Sequence, residues 1–196
     1  YLAQWWNGKS TSESASVIGV EVGKTTSLGT IKLASGRGIT GIVNDKDGNP
    51  IQGVDVWVSD AGGSGSDMHH AYTGADGTYR VPGLREGSYK LQFIKYNSLY
   101  LRQWWPGVTD SAAATPVVVS SDQDTNLVEP MVMRVGGSIT GWVHNASDAP
   151  LAGIQVTAST AGSSPTTAGD ATTDADGKFV IGGLVDGEYK LQFYGS

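Results

Sequence analysis

Two stretches of this chain return in the same pattern, in step, one hundred residues further on. "GITGIVNDKDGNPIQGVDVWVS" from Gly38 recurs as "SITGWVHNASDAPLAGIQVTAS" from Ser138, and "TGADGTYRVPGLREGSYKLQF" from Thr73 recurs as "TDADGKFVIGGLVDGEYKLQF" from Thr173. A third element, "YLRQWWPG" from Tyr100, has its counterpart ninety-nine residues upstream as "YLAQWWNG" from Tyr1. Its continuation "ATPVVVSSDQDTNLVEPMVM" loosely matches "ASVIGVEVGKTTSLGTIKLA". Each repeat must solve the same packing problem, so the period constrains the fold more tightly than composition does. The units run in the order tail, whole repeat, head. Residues 1–34 read as the C-terminal strands of a preceding repeat, 35–134 as a complete repeat, and 135–196 as the N-terminal part of a further repeat that lacks its last strands.

Within a unit, apolar and polar residues alternate over short runs bounded by Gly, Asp, Asn and Pro, the pattern of half-buried strands. Val54, Val56 and Val58 form one inward stripe and Tyr89, Leu91 and Phe93 another, while Asp55, Lys90 and Gln92 face out. Asp76-Gly77 and Asp176-Gly177 sit between such runs, where Gly supplies the positive φ of a tight turn. No helical period persists. The expectation is an all-β protein of tandem antiparallel β-sandwich repeats of about 100 residues, transthyretin-like or immunoglobulin-like, with about seven short strands in each.

The motifs "GxITGxVxxxxGxPLxGVxV" and "TDADGxFxxxGLxxGxYKLQF" resemble the carboxypeptidase regulatory-like domain, a transthyretin-like (prealbumin-like) sandwich of bacterial surface and secreted proteins. The resemblance covers residues 38–95 and 138–196, and the "YLxQWW" strand resembles the usual continuation of such repeats. It implies a non-catalytic extracellular module. Modules of this kind accompany peptidases, glycosidases, transporters and adhesins alike, so the fold does not choose among functions.

Composition removes other classes. The formal charge is −6 with the basic residues scattered singly, which argues against nucleic acid as a partner. No apolar run approaches the length of a membrane-crossing helix, so no membrane insertion is expected. Cysteine is absent, so stability rests on packing rather than on disulfides. Tyr1 in place of an initiator Met suggests a mature product or an excised piece.

Five tryptophans are the candidate contact residues: Trp5, Trp6, Trp104, Trp105 and Trp57. Strand alternation turns one ring of each adjacent pair inward and the other outward, where it could seal contacts between modules or stack on a sugar. Trp57 and Trp142 lie on the polar side of their strands, and their repeat equivalents are Thr157 and Ile42. The acidic turns "DKDG", "GADG" and "DADG" lack the further oxygen ligands and closing Glu of a calcium loop. Met68-His69-His70 offers too few ligands for a metal and reads as a loop or strand edge. No catalytic constellation, metal site or cofactor is expected.

Residues 1–34 carry apolar side chains with no sheet to lay them on, and residues 137–196 form a sheet short of its last strands. Each deficit matches the other. The expected function is a non-catalytic extracellular or cell-surface structural repeat, building a fibre, stalk or surface layer by head-to-tail strand completion or covalent succession. Its expected partners are other copies of itself or neighbouring repeats. The alternative is a carbohydrate-binding accessory region of a secreted polysaccharide-degrading enzyme, with a polysaccharide as partner.

Overall fold

The computed structural model describes residues 1–62 and 68–195; the Gly/Ser-rich loop read after Asp60 lies largely outside the described residues. Residues 37–135 build a two-sheet sandwich. One sheet holds β1 (Arg37–Asn44), β4 (Thr78–Leu84), β8 (Thr125–Asn126) and β9 (Met131–Val132), in the order β4-β1-β8 with β9 also on β1. The other holds β2 (Asp55–Asp60), β3 (His69–Tyr72), β5 (Gly87–Ile94), β6 (Gln103–Trp104) and β7 (Val117–Val119), in the order β3-β2-β5-β6 with β7 also on β5. A short 3-10 turn at Ser111–Ala113 is capped by the Asp110 side chain, which accepts from Ala112 N.

The inward stripes meet between the sheets. Ile39, Val43, Val54, Val56, Val58, Val81, Leu91 and Phe93 are wholly buried, and Met131, Met133 and Val119 close over them from the later strands. One feature departs from the antiparallel expectation: β8 and β9 run parallel to β1. They return along the far edge of β1 after crossing from the other sheet, an arrangement that residue alternation alone does not encode.

The last unit repeats the first half of this design. Strands β10 (Gly137–Trp142) and β13 (Lys178–Leu184) pair as β1 and β4 do, and β12 (Thr167–Thr172), β11 (Gln155–Thr160) and β14 (Tyr189–Tyr194) pair as β3, β2 and β5 do. The register carries over residue for residue, including the irregularity between Arg37 and Ile39 that reappears between Gly137 and Ile139. A buried threonine staples each unit. Thr73 Oγ1 donates to Ile51 O at 2.6 Å and accepts from Val54 N at 2.9 Å; Thr173 does the same with Leu151 O at 2.7 Å and Ile154 N at 2.9 Å. Among the described residues, nothing in the last unit corresponds to β6, β7, β8 or β9.

Candidate functional site

Three features stand apart from ordinary packing: an aromatic row on the outer face of the complete sandwich, an uncovered inner face on the last unit, and a contact repeated at each unit boundary.

The aromatic row follows from register. His70 on β3 lies across from Trp57 on β2, Trp57 across from Gln92 on β5, and Gln92 across from Trp104 on β6. The His70 ring stacks on Trp57 with centroids 4.6 Å apart, and its Nδ1 lies 2.9 Å from Oδ1 of Asp55. Asp55 faces outward as the alternation indicates, yet it is only 2% exposed. The ring of His70 and the directly paired Tyr72 cover it. The nearby Asp55 carboxylate raises the Tyr72 phenol above its ordinary pKa, with burial adding to the effect. His70 takes one face of Trp57, so that face is closed to a ligand. His69, the other member of the histidine pair, turns away and its ring lies beside Gly83.

The Trp pairs differ between their two settings. Trp104 is half-buried where its equivalent Trp5 is 54% exposed, while Trp105 and Trp6 are both half-buried, Trp105 against the core of the complete sandwich. The local backbone is nonetheless the same. Trp104 N donates to Val108 O at 2.6 Å and Trp5 N to Lys9 O at 2.7 Å; Thr115 N donates to Trp105 O at 3.0 Å and Ser16 N to Trp6 O at 3.4 Å. Residues 5–16 thus repeat the local backbone of residues 104–115, although no strand forms in residues 1–34 and no sheet lies beneath.

The uncovered face is plainest at one pair of equivalent residues. Phe93 is wholly buried and Phe193 is 49% exposed, although each makes the same edge-to-face contact, with Tyr79 in one unit and Phe179 in the other. Tyr189, Leu191, Ile139 and Val143 are likewise only partly buried where Tyr89, Leu91, Ile39 and Val43 are buried. The difference is the cover that β7 and β9 supply. On the other side of the match, Ile18 and Val20 are exposed while Val117 and Val119, ninety-nine residues on, are buried, and Ile31 and Leu33 are exposed while Met131 and Met133, at the hundred-residue step of the following unit, are buried.

Two tethers hold that cover in the complete unit, and the sequence reading passed over both. Gln103 is wholly buried; its Nε2 donates to Gly107 O at 2.9 Å and its Oε1 accepts from Arg134 N at 2.7 Å, so one amide joins the Trp-bearing loop to the end of the β9 segment. Alternation after Leu101 already points Gln103 inward, which is the signal that could have found it. Asp124 accepts from Gly38 N and from Arg80, each at 2.8 Å, which ties the β7–β8 connection to β1 and β4. The Arg80 side chain holds the Asp124 carboxyl below the usual carboxylate range. The last unit has Ser138 and Val180 at the places of Gly38 and Arg80.

At the unit boundaries, Leu2 N donates to Ala34 O at 2.8 Å and Leu101 N to Arg134 O at 2.9 Å. Each of these small clasps leans on the end of the following unit, at Gly83 and Gly183 respectively. A cleft of about 550 Å³ opens beside the second boundary, lined by Tyr96, Asn97, Arg102, Asp170 and Asp174 among others. Among the described residues no cluster of His, Cys, Asp or Glu could hold a metal ion, and no helix is long and apolar enough to cross a membrane.

The family model of the carboxypeptidase regulatory-like domain matches residues 38–128 and 138–196. The chain belongs to this family. Among solved structures it is similar to the Bacillus anthracis TIE protein, with 16% identity and a TM-score of 0.39 over 82% of this chain and 28% of that one. A streptococcal ancillary pilin gives 18% identity and a TM-score of 0.40 over 83% of this chain and 54% of that one. GBS52, the minor pilin of Streptococcus agalactiae, gives 17% identity and a TM-score of 0.34 over 82% of this chain and 84% of that one. The chain therefore spans about a quarter and about half of the lengths of the first two. No curated protein sequence matches it.

Proposed function

We propose that the protein is a non-catalytic structural repeat of a bacterial cell surface, in which successive β-sandwiches complete one another in series. The observation that carries this reading is the reciprocal exposure just described. Among the described residues nothing covers the last unit as Phe93 is covered, and residues 1–34 carry exposed apolar side chains at the equivalent places, with the backbone of residues 104–115 repeated at 5–16 and nothing beneath it. Strands of the kind found in residues 1–34 then close the sandwich formed by residues 137–195. Repetition of that step produces an open head-to-tail array rather than a closed oligomer. Burial of apolar area at roughly 25 cal/mol per Å² supplies the driving force, and the unpaired edge of β14 supplies the hydrogen bonds.

The register of the complete unit makes the proposal specific. Ser88 pairs with Val118, so Glu188 should pair with Gly19 of the completing segment. The chain has no cysteine, so Glu188→Cys and Gly19→Cys proteins can be mixed and mildly oxidised with no native thiol competing, each protein oxidised alone being the control for like-with-like dimers. Directly opposed strand positions bring Cβ atoms within disulfide reach. A covalent dimer from this mixture is expected. Replacing Gly19→Cys by Val20→Cys, whose side chain points to the other face, should abolish it. No dimer, or dimers from both pairs alike, would falsify completion between copies.

The carbohydrate reading has one observation in its favour, the boundary cleft with its tyrosine, asparagine and aspartates. Retention on insoluble polysaccharide that is lost in Tyr96→Ala supports it; equal retention of both proteins contradicts it.

A further inference from the structure

The two unit boundaries repeat one contact in detail. Gly83 and Gly183 close β4 and β13 in the left-handed region, with φ of 83° and 68°. Against each lies a carbonyl oxygen from the preceding "YL" segment. A Cβ at Gly83 would stand 3.1 Å from Tyr1 O, and a Cβ at Gly183 would collide with Tyr100 O. The following leucine packs on a second glycine. A Cβ at Gly36 would fall 2.8 Å from Leu2 Cδ2 and 2.7 Å from Gly83 Cα, and one at Gly136 would fall 2.6 Å from Leu101 Cδ2 and 2.7 Å from Leu184 O. At Gly36, Gly136 and Gly183 a side chain would displace neighbouring backbone, and at Gly83 it would sit tightly against Tyr1 O. The second boundary extends further, with Ser98 O and Leu99 seated over Gly182, where the first boundary has Pro82.

We propose that this glycine-lined end of each sandwich is a docking socket for the extended Tyr-Leu segment of the preceding repeat, and that the socket fixes the angle between consecutive sandwiches. The connector through Val135 and Gly136 is one attachment between units. Alone, it would leave the sandwiches free to swivel, as domains joined by a short linker ordinarily do. The Tyr100–Leu101 segment runs antiparallel beside that connector, bridged at Tyr100 to Val135 and held by Leu101 N to Arg134 O at 2.9 Å and Gly136 N to Leu99 O at 2.8 Å, and its far side bears on Gly182 and Gly183 of β13. A joint two strands wide, with its outer strand seated on the glycines of β13, resists the swivel that a single connector would allow. The same construction at both boundaries gives every step of an array the same orientation, hence a stiff rod rather than a string of beads. This goes beyond serial completion, because the socket lies at the sandwich end and not on the open face.

The test is a distance distribution between spin labels at Lys46→Cys and Ser147→Cys, exposed turn positions on the two sandwiches. The parent protein should give one narrow distance. Gly183→Ala should broaden it. Gly153→Ala is the control: it carries the same backbone strain, at φ 79°, but a Cβ there meets nothing within 4 Å, so the narrow distance should persist. Leu99→Ala removes only the side chain over Gly182, and should broaden the distribution even if Gly183→Ala does not fold. A broad distribution in the parent overturns the proposal, as does a narrow one in both Gly183→Ala and Leu99→Ala. The strand-register crosslinks decide serial completion independently of this distance.

Discussion

The complete sandwich and the last unit share a register, a threonine staple and an edge-to-face aromatic pair, yet one buries its phenylalanine and the other leaves it half in solvent. The difference shows that strand pairing within a sheet and closure of the core are separable in this fold. Five strands specify two sheets and their turns. Burial of the β5 stripe waits for residues that arrive some thirty positions later in sequence. A unit without those residues keeps its geometry but gives up much of its hydrophobic stabilisation.

The largest test of this contrast is at the paired phenylalanines. Phe93→Ala should cost about 3–5 kcal/mol in denaturant unfolding of the complete unit, the range for deleting a buried aromatic ring. Phe193→Ala should cost roughly 1 kcal/mol, since it forfeits little beyond its contact with Phe179. Equal losses would break the comparison.

The amide tether comes next. Gln103→Leu should cost about 1–3 kcal/mol, because Arg134 N–H and Gly107 O both lose their partner at a part-buried site. Gln4→Leu, whose amide bonds only Lys32 O at an exposed site, should be close to neutral by the same measurement.

The smallest effect is a pH dependence confined to the complete unit. Asp124 has a depressed pKa in the folded state, so its contribution is fully present above the ordinary aspartate value of about 3.9 and is lost as pH falls through the folded value. Thermal unfolding of the complete unit should therefore fall more steeply below about pH 4 in the parent than in Asp124→Asn. The last unit, with no Arg80 equivalent, should show no such difference.

Much of this architecture was legible in the residues. The alternation around Val54, Val56 and Val58 located β2 and its inward face, and Asp76-Gly77 placed the turn before β4. The hundred-residue offset gave the last unit its register. The parallel return of β8 and β9 was not legible, because "DTNL" and "EPMVM" are too short to show a period and their partner is chosen by tertiary packing. Asp55 was placed on the correct side, but its burial depends on His70 and Tyr72 arriving from another strand. The socket at Gly83 and Gly183 was invisible for a different reason: a glycine after a strand reads as a turn, and only coordinates show what occupies the space its missing side chain leaves.

Amide hydrogen exchange along Tyr189–Tyr194 tests the central claim most directly, because exchange reports local opening strand by strand. In a chain shortened to begin after residue 34, which carries no completing segment, the outward-edge amides of β14 should exchange far faster than those of β5, and should slow toward the β5 rate when a peptide of residues 1–34 is added in trans. Protection of β14 equal to that of β5 in the shortened chain, or exchange that the added peptide leaves unchanged, would contradict the account.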